Sequence, residues 1–198
     1  ELRKIPRTGP AIIVTNHINF LEVPVIYTNL MPRKLTALVK AENWSNPIFG
    51  FLGNLWNGIP LSRGVVDRKA FTLAREALDR KEILVIAPEG TRSGNGNLRR
   101  GNPGIVLLAA DAGVPIIPIA HVGGENFWRN IKSLRRTVFS IRVGRPFLVD
   151  TGGAAIDREA RKRIADEIML RLAVLLPESH RGYYQNKMTD QYQFLRLS

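Results

Sequence analysis

Glu82-Ile83-Leu84-Val85-Ile86-Ala87-Pro88 runs straight into Glu89-Gly90-Thr91-Arg92-Ser93. The first part is a short aliphatic and β-branched run, bounded by a charge and a proline, which reads as a buried strand. The second opens a polar, glycine-rich loop that continues to Pro103, and the apolar stretch after it predicts a helix to about Ala112. The same alternation extends both ways. Upstream, Ala11 to Thr15, Leu35 to Lys40 and Gly58 to Leu61 read as strands. Helical patterns at about 20–30, 46–55 and 66–80 separate them. In the last helix Phe71, Ala74, Ala77 and Leu78 recur at helical spacing with charges between. Downstream, Val114 to His121 is another apolar strand and Thr137 to Val143 alternates like a half-exposed one. Arg158 to Leu176 places Ile164, Ile168, Leu172 and Leu175 on one helical face, expected to pack on a core. Strands alternating with helices predict an α/β fold: a mixed, mainly parallel sheet flanked by helices. The tail from Pro177 to Ser198 is weakly patterned and is expected to be an irregular wrap.

The chain has 198 residues, 44% of them hydrophobic and 23% charged, which suits a single domain with a core of its own. The motif-bearing part covers about 11–122, and a basic and helical C-terminal part about 123–198. There is no cysteine, which excludes disulfide scaffolds, thiolate metal sites and thiol nucleophiles. No apolar run approaches the ~18 residues of a membrane-spanning helix, and no signal peptide is read at the N-terminus. The chain opens on Glu1 rather than methionine, which leaves room for native residues upstream.

Two segments carry candidate chemistry. In Asn16-His17-Ile18-Asn19-Phe20-Leu21-Glu22, His17 follows a strand end and Asn19 is a good N-cap, which puts Glu22 at the reciprocal capping-box position. In one continuous helix residues five apart point away from each other. Across a strand–loop–helix corner Glu22 can reach back to the imidazole, fix its tautomer and raise the basicity of the free nitrogen. Glu22 as a helix cap alone is the competing reading. In the second segment Arg92 sits in a glycine-flanked loop at a strand's C-terminal end, where backbone amides and a guanidinium suit a phosphate. An ordinary turn with a solvated arginine is the alternative. Gly58 to Gly64 places another arginine, Arg63, at a strand end. No Gly-x-Ser-x-Gly elbow appears, so no nucleophile for covalent catalysis is obvious. No metal motif appears either, and His121 and His180 read as structural or exposed.

These segments together resemble the glycerolipid acyltransferases, typified by 1-acylglycerol-3-phosphate (lysophosphatidic acid) acyltransferase. Asn16-His17 with Glu22 is similar to that family's Asn-His-x4-Asp motif, and Gly58 to Arg63 to its second block. Glu89-Gly90-Thr91-Arg92-Ser93 matches the third in full, and Val114 to Ala120 is similar to the fourth. The resemblance implies a glycerol-3-phosphate acyltransferase-like fold. It also implies acyl transfer from acyl-CoA or acyl carrier protein to the free hydroxyl of a phosphate-bearing lysolipid, with 1-acylglycerol-3-phosphate the expected acceptor. His17 would be the general base and Glu22 its orienting carboxylate. Arg63 and Arg92 would hold the acceptor's phosphate, with Glu89, Gly90 and Thr91 shaping that pocket. Asn16, Lys40, Arg100 and Pro118 are secondary candidates, Pro118 on the acyl side and the two cations with a solvated role as the alternative. No cofactor is implied beyond the thioester co-substrate. Glu22 stands where the family usually has Asp, and Asn19 where it usually has Ser. The family also usually carries a longer region before the histidine block. Another lipid acceptor, or a non-catalytic lipid-binding relative, are the alternative functions.

The charge needs its own account. Lys and Arg number 29 against 17 Asp and Glu, a formal net charge of +12. From Trp128 to Arg145 the chain holds Arg129, Lys132, Arg135, Arg136, Arg142 and Arg145 and no acid. A solvated basic face is the plain reading. Nucleic acid is the rival partner, but no zinc finger, aromatic-and-basic recognition motif or disordered arm accompanies the charge. An anionic membrane surface fits better, with Trp128 as an interfacial anchor. Peripheral association with the cytoplasmic face is therefore expected.

Overall fold

Ala11 to Thr15 and Ile83 to Ile86 are buried at every position, the burial expected of parallel strands covered on both faces. The computed structural model describes residues 1–62 and 67–198. Arg63 and the Val66 start of the predicted helix lie outside the described residues. In chain order the elements are β1 (Ala11–Thr15), α1 (Glu22–Leu30), β2 (Leu35–Lys40), α2 (Pro47–Leu55), β3 (Gly58–Leu61), α3 (Arg68–Asp79), β4 (Ile83–Ile86), α4 (Gly104–Ala112), β5 (Ile116–Val122), α5 (Phe127–Lys132), β6 (Ser140–Val143), β7 (Phe147–Val149), α6 (Arg158–Ala173) and β8 (Leu195–Leu197).

Among the described residues these strands form one sheet in the order β3-β2-β4-β1-β5-β7-β8, with β6 also paired to β5. β1 to β5 pair in parallel, and β6, β7 and β8 join antiparallel. The fold is the mixed, mainly parallel α/β sheet that the alternation predicts. Side-chain alternation divides the core. Ile12, Val14, Leu84 and Ile86 face α3, α4 and α6, whose Ala74, Val106 and Ile168 are fully buried. Ala11, Ile13, Ile83 and Val85 face α1 through Ile26 and the N-terminal turn through Ile5. Each fully buried isoleucine contributes roughly 1.5–3 kcal/mol.

Local chemistry sets the helix ends. Asp67 accepts from the Ala70 amide at 3.0 Å and Asp157 from the Ala160 amide at 2.7 Å, capping α3 and α6. Asn46 caps α2, with Pro47 at its first position. The predicted elements differ from the observed ones mainly at their ends. The helix expected from Phe20 starts at Glu22, because residues 18–21 turn the corner after His17. The strand expected from Val114 starts at Ile116, that from Thr137 at Ser140, and the long helix stops at Ala173. The apolar face of that helix packs on the core as expected. The tail is more ordered than an irregular wrap. It makes 3-10 turns at Glu178–His180 and Gly182–Lys187, buries Tyr184, and returns β8 to the sheet beside β7.

Parallel pairing of β1 with β4 puts Val14 opposite Ile86. His17 and Glu89, each three residues further on, therefore leave the same end of two neighbouring strands. β1 is also where the chain switches from building the sheet on one side to building it on the other, the usual location of ligand sites in such sheets.

Candidate active site

The corner after β1 is held by its own side chains. His17 Nδ1 is hydrogen-bonded to Glu22 Oε1, while Glu22 Oε2 accepts from the Asn19 amide at 3.2 Å and Asn19 Oδ1 accepts from the Leu21 amide at 2.8 Å. α1 begins at Glu22 with Leu21 at its N-cap, two residues later than the Asn19 cap expected, so Glu22 is not a capping-box residue of that helix. One oxygen meets the imidazole and the other ties down the turn before α1. Its carboxylate is buried, whereas His17 reaches the surface of a cavity of about 410 Å³. His17 Nε2 makes no hydrogen bond among the described residues.

Asn16 lies behind the histidine rather than in the cavity. Its amide nitrogen donates to His121 O and its Oδ1 accepts from His121 N, both at 2.9 Å. His121 Nε2 in turn lies 2.8 Å from Asn16 O, an arrangement that places the ring's proton on Nε2. Burial holds the His121 pKa below its ordinary value, so the ring stays neutral. His121 is thus structural, one of the two readings its sequence allows; what the sequence hides is its partner. His121 lies 105 residues from Asn16, a separation that no local pattern reveals.

Glu89 also turns away from the cavity. Its Oε1 accepts from the His17 amide at 2.6 Å and its Oε2 from the Arg99 amide at 2.8 Å. Burial is the largest influence on it and raises its pKa from 4.5 to about 7, against the pull of those two donors. Any shaping of the pocket by Glu89 therefore runs through the backbone it holds. After it, Gly90 adopts φ +67°, which a side chain would strain. The turn points the chain at the cavity, where Gly90, Thr91 and Arg92 lie on the wall. Beyond them, Ser93 donates to His17 O at 2.7 Å and Gly94 to Ile18 O at 3.1 Å, so the loop and the histidine corner are stitched together. The Thr91 and Arg92 amides have no acceptor among the described residues, and the exposed Arg92 side chain has no ion pair there.

The rest of the wall is mostly apolar, with Val23, Leu38, Phe49, Leu52, Trp56 and Ile86, and Lys40 at its polar side. Lys40 pairs with Glu42 at 3.1 Å. Two candidates lie elsewhere. Arg100 is exposed and stacks over Tyr183 at 5.7 Å. Pro118 is buried in β5, on the side where Gly144 and Leu175 approach, and is not on the cavity wall. It sits in the middle of β5, which packs against α6. Arg63 is outside the described residues.

A histidine–carboxylate pair and a glycine-turn arginine thus share one cavity at the C-terminal ends of β1 and β4. A family model described as Acyltransferase matches residues 1–122. The chain belongs to the acyltransferase family. A 1-acyl-sn-glycerol-3-phosphate acyltransferase from Cocos nucifera is 28% identical over 144 residues, 71% of this chain and 46% of the relative. A lyso-ornithine lipid O-acyltransferase from Pseudomonas aeruginosa is 32% identical over 112 residues, 56% of this chain and 42% of the relative. Among solved structures, the 1-acyl-sn-glycerophosphate (LPA) acyltransferase PlsC from Thermotoga maritima superposes with a TM-score of 0.60 at 25% identity, covering 85% of this chain and 66% of that one. The chain spans about half the length of the curated relatives it matches. Within the acyltransferase family the match ends at the close of β5, so α6 and the tail lie beyond it.

Proposed function

We propose that the protein transfers an acyl group from an acyl thioester, acyl-CoA or acyl carrier protein, to the free hydroxyl of a phosphate-bearing lysolipid, converting 1-acylglycerol-3-phosphate to phosphatidic acid. The observation that carries this reading is the His17 imidazole on the cavity wall, bonded through Nδ1 to buried Glu22 and free at Nε2. Nε2 takes the proton of the acceptor hydroxyl as its oxygen attacks the thioester carbonyl carbon. The C–S bond then breaks, and the imidazolium returns the proton to the departing thiolate. Buried Glu22 stabilises the imidazolium between the two steps. Thr91 and Arg92 supply amides and a guanidinium to the phosphate, with Arg63 as a second cation. The apolar wall takes acyl chain. No cofactor enters this reaction beyond the thioester itself.

The reaction takes place at an anionic membrane surface, on the cytoplasmic face. Phe20 and Phe49 on the cavity wall are 6.2 Å apart, and Phe20 lies 5.8 Å from Phe127 and 6.1 Å from Trp128. Trp128, Ile131 and Leu134 are exposed among Arg129, Lys132, Arg135 and Arg136, and Ile48, Phe51 and Leu55 are exposed on α2. Apolar side chains that can enter the headgroup region, with cations worth about 1 kcal/mol each near anionic lipid, fit such a surface. Among the described residues no helix is long and apolar enough to cross a membrane.

The second acceptor class is a phosphate-free lysolipid, a reading favoured by the similarity to a lyso-ornithine lipid O-acyltransferase. The test is thioester consumption and product formation with a long-chain acyl-CoA and lysophosphatidic acid in vesicles of anionic or neutral lipid, for the wild type and His17→Ala. Phosphatidic acid from the wild type, a loss of about 10²–10⁴ in the variant, and faster turnover on anionic vesicles are expected. A wild type active only on lyso-ornithine lipid replaces the acceptor. Inertness with both acceptors and both donors overturns the enzymatic reading, and equal turnover on both vesicle types overturns the anionic surface.

A further inference from the structure

The loop from Glu89 to Pro103 has no regular structure of its own, so its backbone groups need partners from elsewhere. On the cavity side it has the His17 corner and Glu89. On its outer side it has the tail. Leu98 donates to His180 O at 2.9 Å and accepts from the Tyr183 amide at 3.0 Å, so both of its backbone groups are satisfied by the tail. Next to it the Tyr184 hydroxyl accepts from the Gly101 amide at 3.0 Å and donates to Asp166 of α6 at 2.7 Å. Tyr184 is fully buried. Burial, reinforced by Asp166, raises its pKa well above the usual phenol range, so the hydroxyl keeps both its donor and its acceptor roles. The approach needs glycine: Gly182 has φ +49°, and a Cβ there would stand 2.3 Å from Leu98 O.

We propose that the tail segment 180–184, anchored by Tyr184, is a positioning clamp for this loop and sets how tightly the acceptor's phosphate is held. The proposal rests on the reading of Thr91 and Arg92 as phosphate ligands. Those residues lie between the loop's attachment to β4 and its ties at Ser93 and Gly94, and Arg92 has no ion pair of its own among the described residues. The far end of the loop reaches this corner through Glu89, whose carboxylate holds the His17 amide with one oxygen and the Arg99 amide with the other. The tail's ties at Leu98 and Gly101 thus flank a segment coupled to His17. When the outer ties loosen, only the fraction of molecules with the loop in place binds phosphate well. Tyr184 touches neither substrate nor His17, so it is a positioning residue, and it lies outside the residues that the family model matches.

The test is Tyr184→Phe in the full chain, which removes one hydroxyl and keeps the ring. Amides 98–101 should exchange hydrogen faster. The KM for lysophosphatidic acid should rise about threefold to tenfold, the effect of one lost hydrogen bond, with kcat and the KM for acyl-CoA unchanged. Gly182→Ala should move the same parameters further. Faster exchange without a change in acceptor KM overturns the clamp, as does an equal loss with monoacylglycerol, which lacks the phosphate. A measurement without turnover separates the clamp from the enzymatic reading. Glycerol 3-phosphate should protect amides 90–93 from exchange in the wild type and less so in Tyr184→Phe. That difference without acyl transfer would leave the clamp standing and the proposed reaction not. Equal protection in both proteins, or none in the wild type, overturns the clamp.

Discussion

The His17 corner and the Glu89–Pro103 loop face one cavity and are built in opposite ways. The corner is short and over-determined. Glu22 uses both oxygens within five residues of His17, and Asn16 is locked to β5 by His121. The loop is long, carries exposed Arg92, and is tied to the corner near its start and through Glu89. Its outer part takes its support from the tail and, through Tyr184, from α6. The difference matches the two tasks assigned to them. Proton transfer fails when the reacting atoms are misplaced by about 1 Å. A phosphate held by amides and a guanidinium tolerates adjustment. If this contrast is right, damage to the corner should appear in kcat and damage to the loop in acceptor KM.

The sharpest way to break the contrast is Glu22→Gln. The amide keeps an oxygen for the Asn19 amide but presents an N–H to His17 Nδ1, which leaves the imidazole's own proton on Nε2, the atom that must act as base. By analogy with carboxylate-to-amide changes in serine hydrolase triads, kcat should fall by about 10²–10⁴, with the thermal midpoint nearly unchanged. Turnover at the wild-type level would reduce Glu22 to a tie for the turn before α1 and end the comparison. The next effect belongs to the loop. Arg92→Ala removes a charge-assisted contact, so kcat/KM for lysophosphatidic acid should fall about 10- to 100-fold, mostly through KM. Monoacylglycerol should be affected much less. Equal losses on the two acceptors would take Arg92 out of the phosphate site.

The same contrast governs how much the amino-acid sequence shows. β1 and β4 are legible because burial on both sheet faces makes strands uniformly apolar, and α3 because Phe71, Ala74, Ala77 and Leu78 recur at helical spacing. His17 with Glu22 is legible because the contact is five residues long. What is hidden is what depends on distant partners. β7 and β8 have three residues each and pair with strands far along the chain, too short to show a period. His121 and Tyr184 find Asn16 and Gly101 across 105 and 83 residues. Glu89 is legible as a residue of the site but not in its direction, because the register of β1 on β4 decides whether its carboxylate meets the cavity or the backbone of His17.

Glu89 belongs to both regions, and the smallest predicted effect tests that link. Its folded pKa of about 7 lies above its ordinary 4.5 because burial outweighs the His17 and Arg99 amides that favour the charge. The folded protein therefore binds the proton more tightly than the unfolded chain. Stability on this account is fully present below about pH 4.5, declines as pH rises toward 7, and is flat above it. The shift corresponds to about 3 kcal/mol. Glu89→Gln removes the titration while losing one acceptor, so thermal unfolding should find the wild type ahead at pH 5 and its lead smaller by several degrees at pH 8. A constant lead across that range would mean that the two amides hold the carboxylate ionised throughout. The corner and the loop would then be joined by a fixed charge, and the proton dependence of catalysis would have to come from the His17 corner alone.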